Sequence, residues 1–141
     1  MPQVEQLVSA FTLRFYISEV AIREAIAAGL SFNLIDNQTV WKIDIFLLTP
    51  DEFQQSRFQR QQRVIVDEIG NYLNFSTAED TILQKLLWHK MTESVSGQQW
   101  RDILGILKLQ KLKLDWQYLR HWAEILNVSV ELEEAVCVCS N

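Results

Sequence analysis

The sequence predicts an α/β (α+β) fold, with a small mixed β-sheet and flanking helices in its first half and a C-terminal helical bundle in its second. Three observations predict it. Residues 40–48, Val-Trp-Lys-Ile-Asp-Ile-Phe-Leu-Leu, join β-branched and aromatic residues without clean alternation, as in a central strand covered on both faces. Residues 31–35 and the Asp36-Asn37 turn supply that strand with an antiparallel partner. From Thr77 onward apolar residues recur at helical spacing. A length of 141 residues with 48% apolar content suits one domain with a real core and excludes a disordered chain. No Pro/Gly/Ser-rich linker divides it, so one domain is expected over 1–141, with an α/β part at 1–75 and a helical part at 76–141.

In chain order, Val4, Leu7, Val8 and Phe11 mark a first helix over 2–10, and 13–17 reads as a short strand. Ser18 is a side-chain cap for the next helix, and Gly29 ends it where a left-handed residue is wanted. The 31–35 and 40–48 hairpin follows. Thr49-Pro50-Asp51-Glu52 then has the chemistry of a helix start, with Phe53 and Phe58 as apolar contacts. Two short strands, 62–68 and 71–75, flank Gly70. Ser76-Thr77-Ala78-Glu79 fits a capping box with the Ser76 hydroxyl at the cap and Glu79 three residues on. It opens helices over 77–92, 97–109, 115–126 and a last one from Ser129.

Composition narrows the function classes. A formal charge of −5 argues against extended binding to nucleic-acid backbone. The apolar runs fall short of a membrane span and the N-terminal residues lack signal-peptide character, so a cytoplasmic protein without membrane contact is expected. Cys137 and Cys139 form a lone C-x-C without the further ligands of a zinc site, and their alternative is an unconstrained tail. His89 and His121 stand alone and are expected in packing or at the surface. The five tryptophans lie on apolar stripes and are expected in core contacts.

Four residues are candidates for chemistry. Asp44 sits mid-strand, sharing a face with Lys42, Phe46 and Leu48. A carboxylate there needs a cation, a metal or good donors, and the alternatives are a functional cleft or a structural Lys42–Asp44 pair. Lys85 lies on the stripe of Ile82, Leu86 and His89, from which it either snorkels to solvent or meets a phosphate or carboxylate. Arg101 and Asp102 border an apolar helix face, a setting for an inter-helix salt bridge. Arg57, Arg60 and Arg63 fall three apart and either contact phosphate or balance nearby acids.

The order of these pieces resembles minimal nucleotidyltransferase-like proteins of the DNA polymerase β superfamily, including relatives of abortive-infection and toxin–antitoxin nucleotidyltransferases. The phrases that carry the resemblance are Tyr16-Ile17-Ser18, Ser31-Phe32-Asn33-Leu34-Ile35, Trp41-Lys42-Ile43-Asp44-Ile45-Phe46, the 78–86 helix start and Gln99-Trp100-Arg101-Asp102-Ile103-Leu104-Gly105. The resemblance implies metal-dependent nucleotidyl transfer, with Asp44 as the third carboxylate holding Mg2+ and Lys85, Arg101 and Asp102 near a nucleoside triphosphate. It also implies an incomplete centre. No Gly-Ser turn or Asp-x-Asp strand precedes Asp44, and one carboxylate cannot supply the ligands of a two-metal site, so an inactive member is expected. Loss of a leading strand leaves an exposed sheet edge. The rival expectation is therefore a non-catalytic interaction module, a homodimer or a toxin–antitoxin-like partner.

Overall fold

The structure, a computed structural model, describes residues 2–91 and 97–139. The chain divides into two compact units, Met1–Asp51 and Glu52–Asn141. The change of character at Ser76 falls inside the second. Among the described residues no helix is long and apolar enough to cross a membrane.

In the first unit, helix α1 (Pro2–Phe11), strand β1 (Phe15–Tyr16), helix α2 (Glu19–Ala28) and strands β2 (Ser31–Asp36) and β3 (Lys42–Phe46) follow in order. Ser18 Oγ accepts from Ala21 N to cap α2, and Gly29 ends it at φ 65°. The sheet runs β1-β2-β3 and is antiparallel throughout rather than mixed. Phe32 and Leu34 point to one face and pack with Val4 of α1 and with Ile22 and Ala25 of α2.

That topology corrects the expectation for β3. It is the edge strand, not the central one, and four of its five residues are exposed. Residues 42–45 do alternate, with Ile43 and Ile45 on the helix-covered side and Lys42 and Asp44 on the open side; the continuous apolar character comes from residues 40, 41 and 46–48, so burial on both faces does not follow. Trp41, expected in a core contact, is 77% exposed. The hairpin turn hangs on Asp36, whose Oδ1 accepts from Gln38 N at 2.9 Å and Thr39 N at 3.0 Å and whose Oδ2 accepts from Arg14 Nε at 2.8 Å. These donors hold Val40 at φ 60°, a conformation that costs a β-branched residue energy.

The second unit contains α3 (Glu52–Gln59), β4 (Gln62–Ile65), β5 (Tyr72–Phe75), α4 (Ala78–Met91), α5 (Gly97–Gln110), α6 (Trp116–Ile125) and α7 (Ser129–Val138). Strands β4 and β5 form a separate two-stranded antiparallel hairpin. The core gathers Phe53, Ile82, Leu83, Leu86, Ile103, Leu107, Leu119, Trp122, Val128 and Leu132. Helix α4 contributes apolar residues on adjacent faces because other elements surround it. The 129–138 segment is no loose tail. Leu132 and Ala135 are buried and Cys139 packs on the core.

Candidate functional site

The start of α4 positions most of the polar groups that the second unit encloses. Thr77 Oγ1 accepts from Asp80 N at 3.1 Å, so the cap is Thr77, one residue later than the Ser76 frame expected. The Thr77 hydroxyl donates back to Asp80 Oδ2 at 2.7 Å. This shift releases Glu79 from capping. Its Oε1 accepts from Asp115 N at 2.9 Å, and Asp115 Oδ1 in turn accepts from Tyr118 N at 3.0 Å as the cap of α6. The two helix starts are thereby joined through one carboxylate.

Asp80 is fully buried. Its Oδ1 accepts from the Tyr118 hydroxyl at 2.7 Å, and Arg60 Nε lies 3.6 Å from its Oδ2. Arg60 also reaches Glu79 at 3.6 Å and places its guanidinium 3.7 Å from the Tyr118 ring centroid. Ser56 Oγ stands 3.1 Å from the Tyr118 oxygen. Burial pushes the Tyr118 hydroxyl up to about 12, and its hydrogen bond to Asp80 and the charge there add to the rise. A phenol held in its neutral form and donating to a carboxylate acts as a fastener. One turn along, Gln84 meets Gln54 Nε2 at 3.4 Å and also accepts from Arg57. A cleft of about 430 Å³ opens beside the cluster, lined among others by Gln62, Ser76, Glu79, Thr81, Gln110 and Lys113.

The four candidates from sequence divide between the units. Lys85 Nζ donates to Asp102 Oδ2 at 2.7 Å and to Gln99 Oε1 at 3.1 Å, an ion pair that ties α4 to α5. Arg101 is exposed on α5. Asp44, in the first unit, is 48% exposed at its side chain and pairs with Lys42 Nζ at 2.9 Å, the structural alternative of the sequence reading. One half-exposed carboxylate with an ammonium beside it is by itself a poor donor set for Mg2+. The arginine stripe resolves into separate roles. Arg57 serves glutamines, Arg60 balances Glu79 and Asp80, and Arg63 lies 3.2 Å over the Tyr72 ring. His89 stacks on Trp100 and His121 packs edge-on to Trp122.

The pairing of Asp80 with Tyr118 was not foreseen. The readable signal was an acidic residue placed one turn before Gln84 on a helix that is apolar on its neighbouring faces, with Arg60 upstream. No protein-family model, curated protein or solved structure matches the chain.

Proposed function

We propose that this chain is a non-catalytic protein-interaction module. The hairpin β4–β5 carries the reading. Val64 pairs with Leu73 and Gln62 with Phe75, so Val64, Leu73 and Phe75 share a face, which Val66 extends through its N–H to Asn71 O. These four apolar residues are 44%, 55%, 47% and 47% exposed in the order Val64, Leu73, Phe75, Val66. A lone two-stranded hairpin is marginal in water, and an apolar face left open on one is a surface suited to a protein partner.

The hairpin is built to be presented. Asp67 Oδ1 accepts from Ile69 N at 3.1 Å and Asn71 N at 2.9 Å, and its Oδ2 accepts from Asn71 Nδ2 at 2.6 Å. The Asn71 side-chain and backbone donors hold its carboxyl below the usual 3.8. Gly70 closes the turn at φ 88°, which a side chain would strain. The partner pairing of Lys85 with Asp102, and of Asp44 with Lys42, also favours a binding role over a reactive one. The nucleotidyltransferase resemblance is then an ancestry, with its nucleotide and magnesium chemistry no longer used.

Two measurements test the module. The paired substitution Val64→Thr and Leu73→Thr is expected to leave the unfolding free energy from urea titration within about 0.5 kcal/mol of the parent, since neither side chain is enclosed, while abolishing binding of a hydrophobic dye. A loss of roughly 2 kcal/mol or more would place that face inside a packed core and end the proposal. Calorimetry with ATP and GTP, with and without magnesium, is expected to show no heat. Magnesium-dependent binding that disappears in Asp44→Ala would favour a surviving nucleotide site instead.

A further inference from the structure

The other sheet carries a second, independent feature. Strand β3 lies at an edge, and its sequence is chemically symmetric about Ile43: Trp41-Lys42-Ile43-Asp44-Ile45 presents apolar, basic, apolar, acidic and apolar residues in turn. Antiparallel pairing of β3 with itself reverses one copy. A two-fold axis at Ile43 then sets Lys42 of each copy opposite Asp44 of the other, and Trp41 opposite Ile45.

Backbone chemistry supports the same register. Trp41 O accepts from Asp36 N at 2.8 Å, and antiparallel ladder bonds recur at every second residue. Ile43 and Ile45 accordingly turn their amides toward β2, where Leu34 and Phe32 are their partners. The amide groups of Lys42 and Asp44 point to the outer edge. An axis at Ile43 makes Lys42 and Asp44 of opposite copies a hydrogen-bonded pair, so charge and amide placement agree. The neighbouring registers allowed by this parity place Lys42 opposite Lys42 or Asp44 opposite Asp44, and both set like charges face to face.

Side-chain placement adds a third element. Lys42 and Asp44 lie on the open face, where their own pair is half in solvent, and Ile43 lies on the helix-covered face at 43% exposure. Joining two edges brings Ile43 against Ile43, so the apolar layer begun by Phe32 and Leu34 continues from one copy into the next. Edge strands commonly avoid self-pairing with charges, prolines or bulges, and a charge opposes pairing only where the facing strand does not complement it. This one carries matched charges.

We propose that the chain forms a homodimer by antiparallel pairing of β3 with β3 of a second copy about a two-fold axis at Ile43, giving one continuous six-stranded sheet. It concerns a surface separate from the β4–β5 hairpin and stands or falls apart from it. The first test is sedimentation of the full chain with charge variants. The single variants Lys42→Asp and Asp44→Lys each replace both cross-copy ion pairs by like-charge pairs, and each is expected to weaken the dimer roughly tenfold to a hundredfold. The double variant K42D/D44K restores the opposition and is expected to recover the parent affinity. Both charged positions, Lys42 and Asp44, are exposed in the single copy, and circular dichroism checks that the variants fold.

The second test reads the register directly. In a chain with Cys137→Ser and Cys139→Ser, Ile43→Cys places two thiols at a non-hydrogen-bonded pair, where Cα atoms are about 4.5 Å apart and a disulfide closes readily. Mild oxidation is expected to crosslink Ile43→Cys much faster than Lys42→Cys or Asp44→Cys. A monomeric parent at about 100 μM, roughly the range of a weak standard interface, overturns the proposal. So does a dimer indifferent to the single charge reversals, or one that crosslinks equally at all three positions. Hairpin variants at Val64 and Leu73 are expected to leave this dimer unchanged, and loss of the dimer there would assign self-association to the other surface.

Discussion

The two units enclose their cores to different degrees. In the second, Ile82, Leu83, Leu86, Ile103 and Leu119 have no solvent exposure, whereas in the first the best-covered residue, Ile22, keeps 2% and Phe32 keeps 7%. The reason is geometric. Helix α4 packs against both α5 and α6, and its Ile82, Leu83 and Leu86 are fully enclosed. The three-stranded sheet is covered by α1 and α2 on one face, which leaves its other face and the β3 edge open. Closure by several helices yields a stable scaffold, and one-sided closure yields a surface.

The largest expected effect sharpens that contrast. Leu86→Ala removes a side chain with no room to collapse and is expected to cost about 4 kcal/mol, while Leu34→Ala, in a core covered by helices on one face of its sheet only, is expected to cost about 2 kcal/mol. Urea unfolding followed by amide hydrogen exchange assigns each loss to its unit. Equal losses at both positions would break the comparison and mean that the sheet core is as tightly closed as the helical one.

A smaller effect probes the polar interior. Asp80→Asn keeps the size of the side chain but removes the charge that faces Arg60 and weakens acceptance from the Thr77 and Tyr118 hydroxyls. We expect a loss of about 2 kcal/mol, and Tyr118→Phe in the same background should add little because the two act through one bond. Independent, additive losses would show that Asp80 and Tyr118 are not one network.

How much of this was legible in the sequence follows from the same distinction. Ser18 and Gly29 identify the ends of α2 because a cap hydroxyl and a left-handed glycine act locally. The 31–48 hairpin was legible for the same reason, and so was the order of the later helices. The position of β3 within the sheet was not, because apolar content on both faces does not state how many neighbours a strand has. Nor was the Thr77 cap: Ser76 and Thr77 offer equivalent hydroxyls, and the Asp80 that Thr77 caps is also held by Tyr118, 38 residues away, a contact that local spacing does not encode. Of the candidate residues, spacing offers Lys85 either solvent or a phosphate or carboxylate and offers Asp102 an inter-helix salt bridge, and their joining across α4 and α5 depends on a helix pairing that spacing does not encode.

The smallest expected effect lies in the first unit, at Asp36. Its carboxylate accepts from Thr39 N, Arg14 Nε and Gln38 N, and these donors hold its pKa far below the usual 3.8. The folded form thus prefers the ionised group. Its contribution is fully present above 3.8, where the unfolded chain is ionised too, and is lost as pH falls from there through the depressed value, because the unfolded chain takes up the proton first. The effect is modest because the Arg14 side chain is 71% exposed and its attraction is screened by solvent. Asp36→Asn cannot ionise, so the variant should be less stable than the parent at neutral pH and the gap should narrow below about pH 4, with the urea midpoint of the first unit as the readout. A gap that stays constant from pH 7 to about 2.5 would mean that Asp36 holds the turn through its shape alone, and that Val40 keeps its φ of 60° without help from charge.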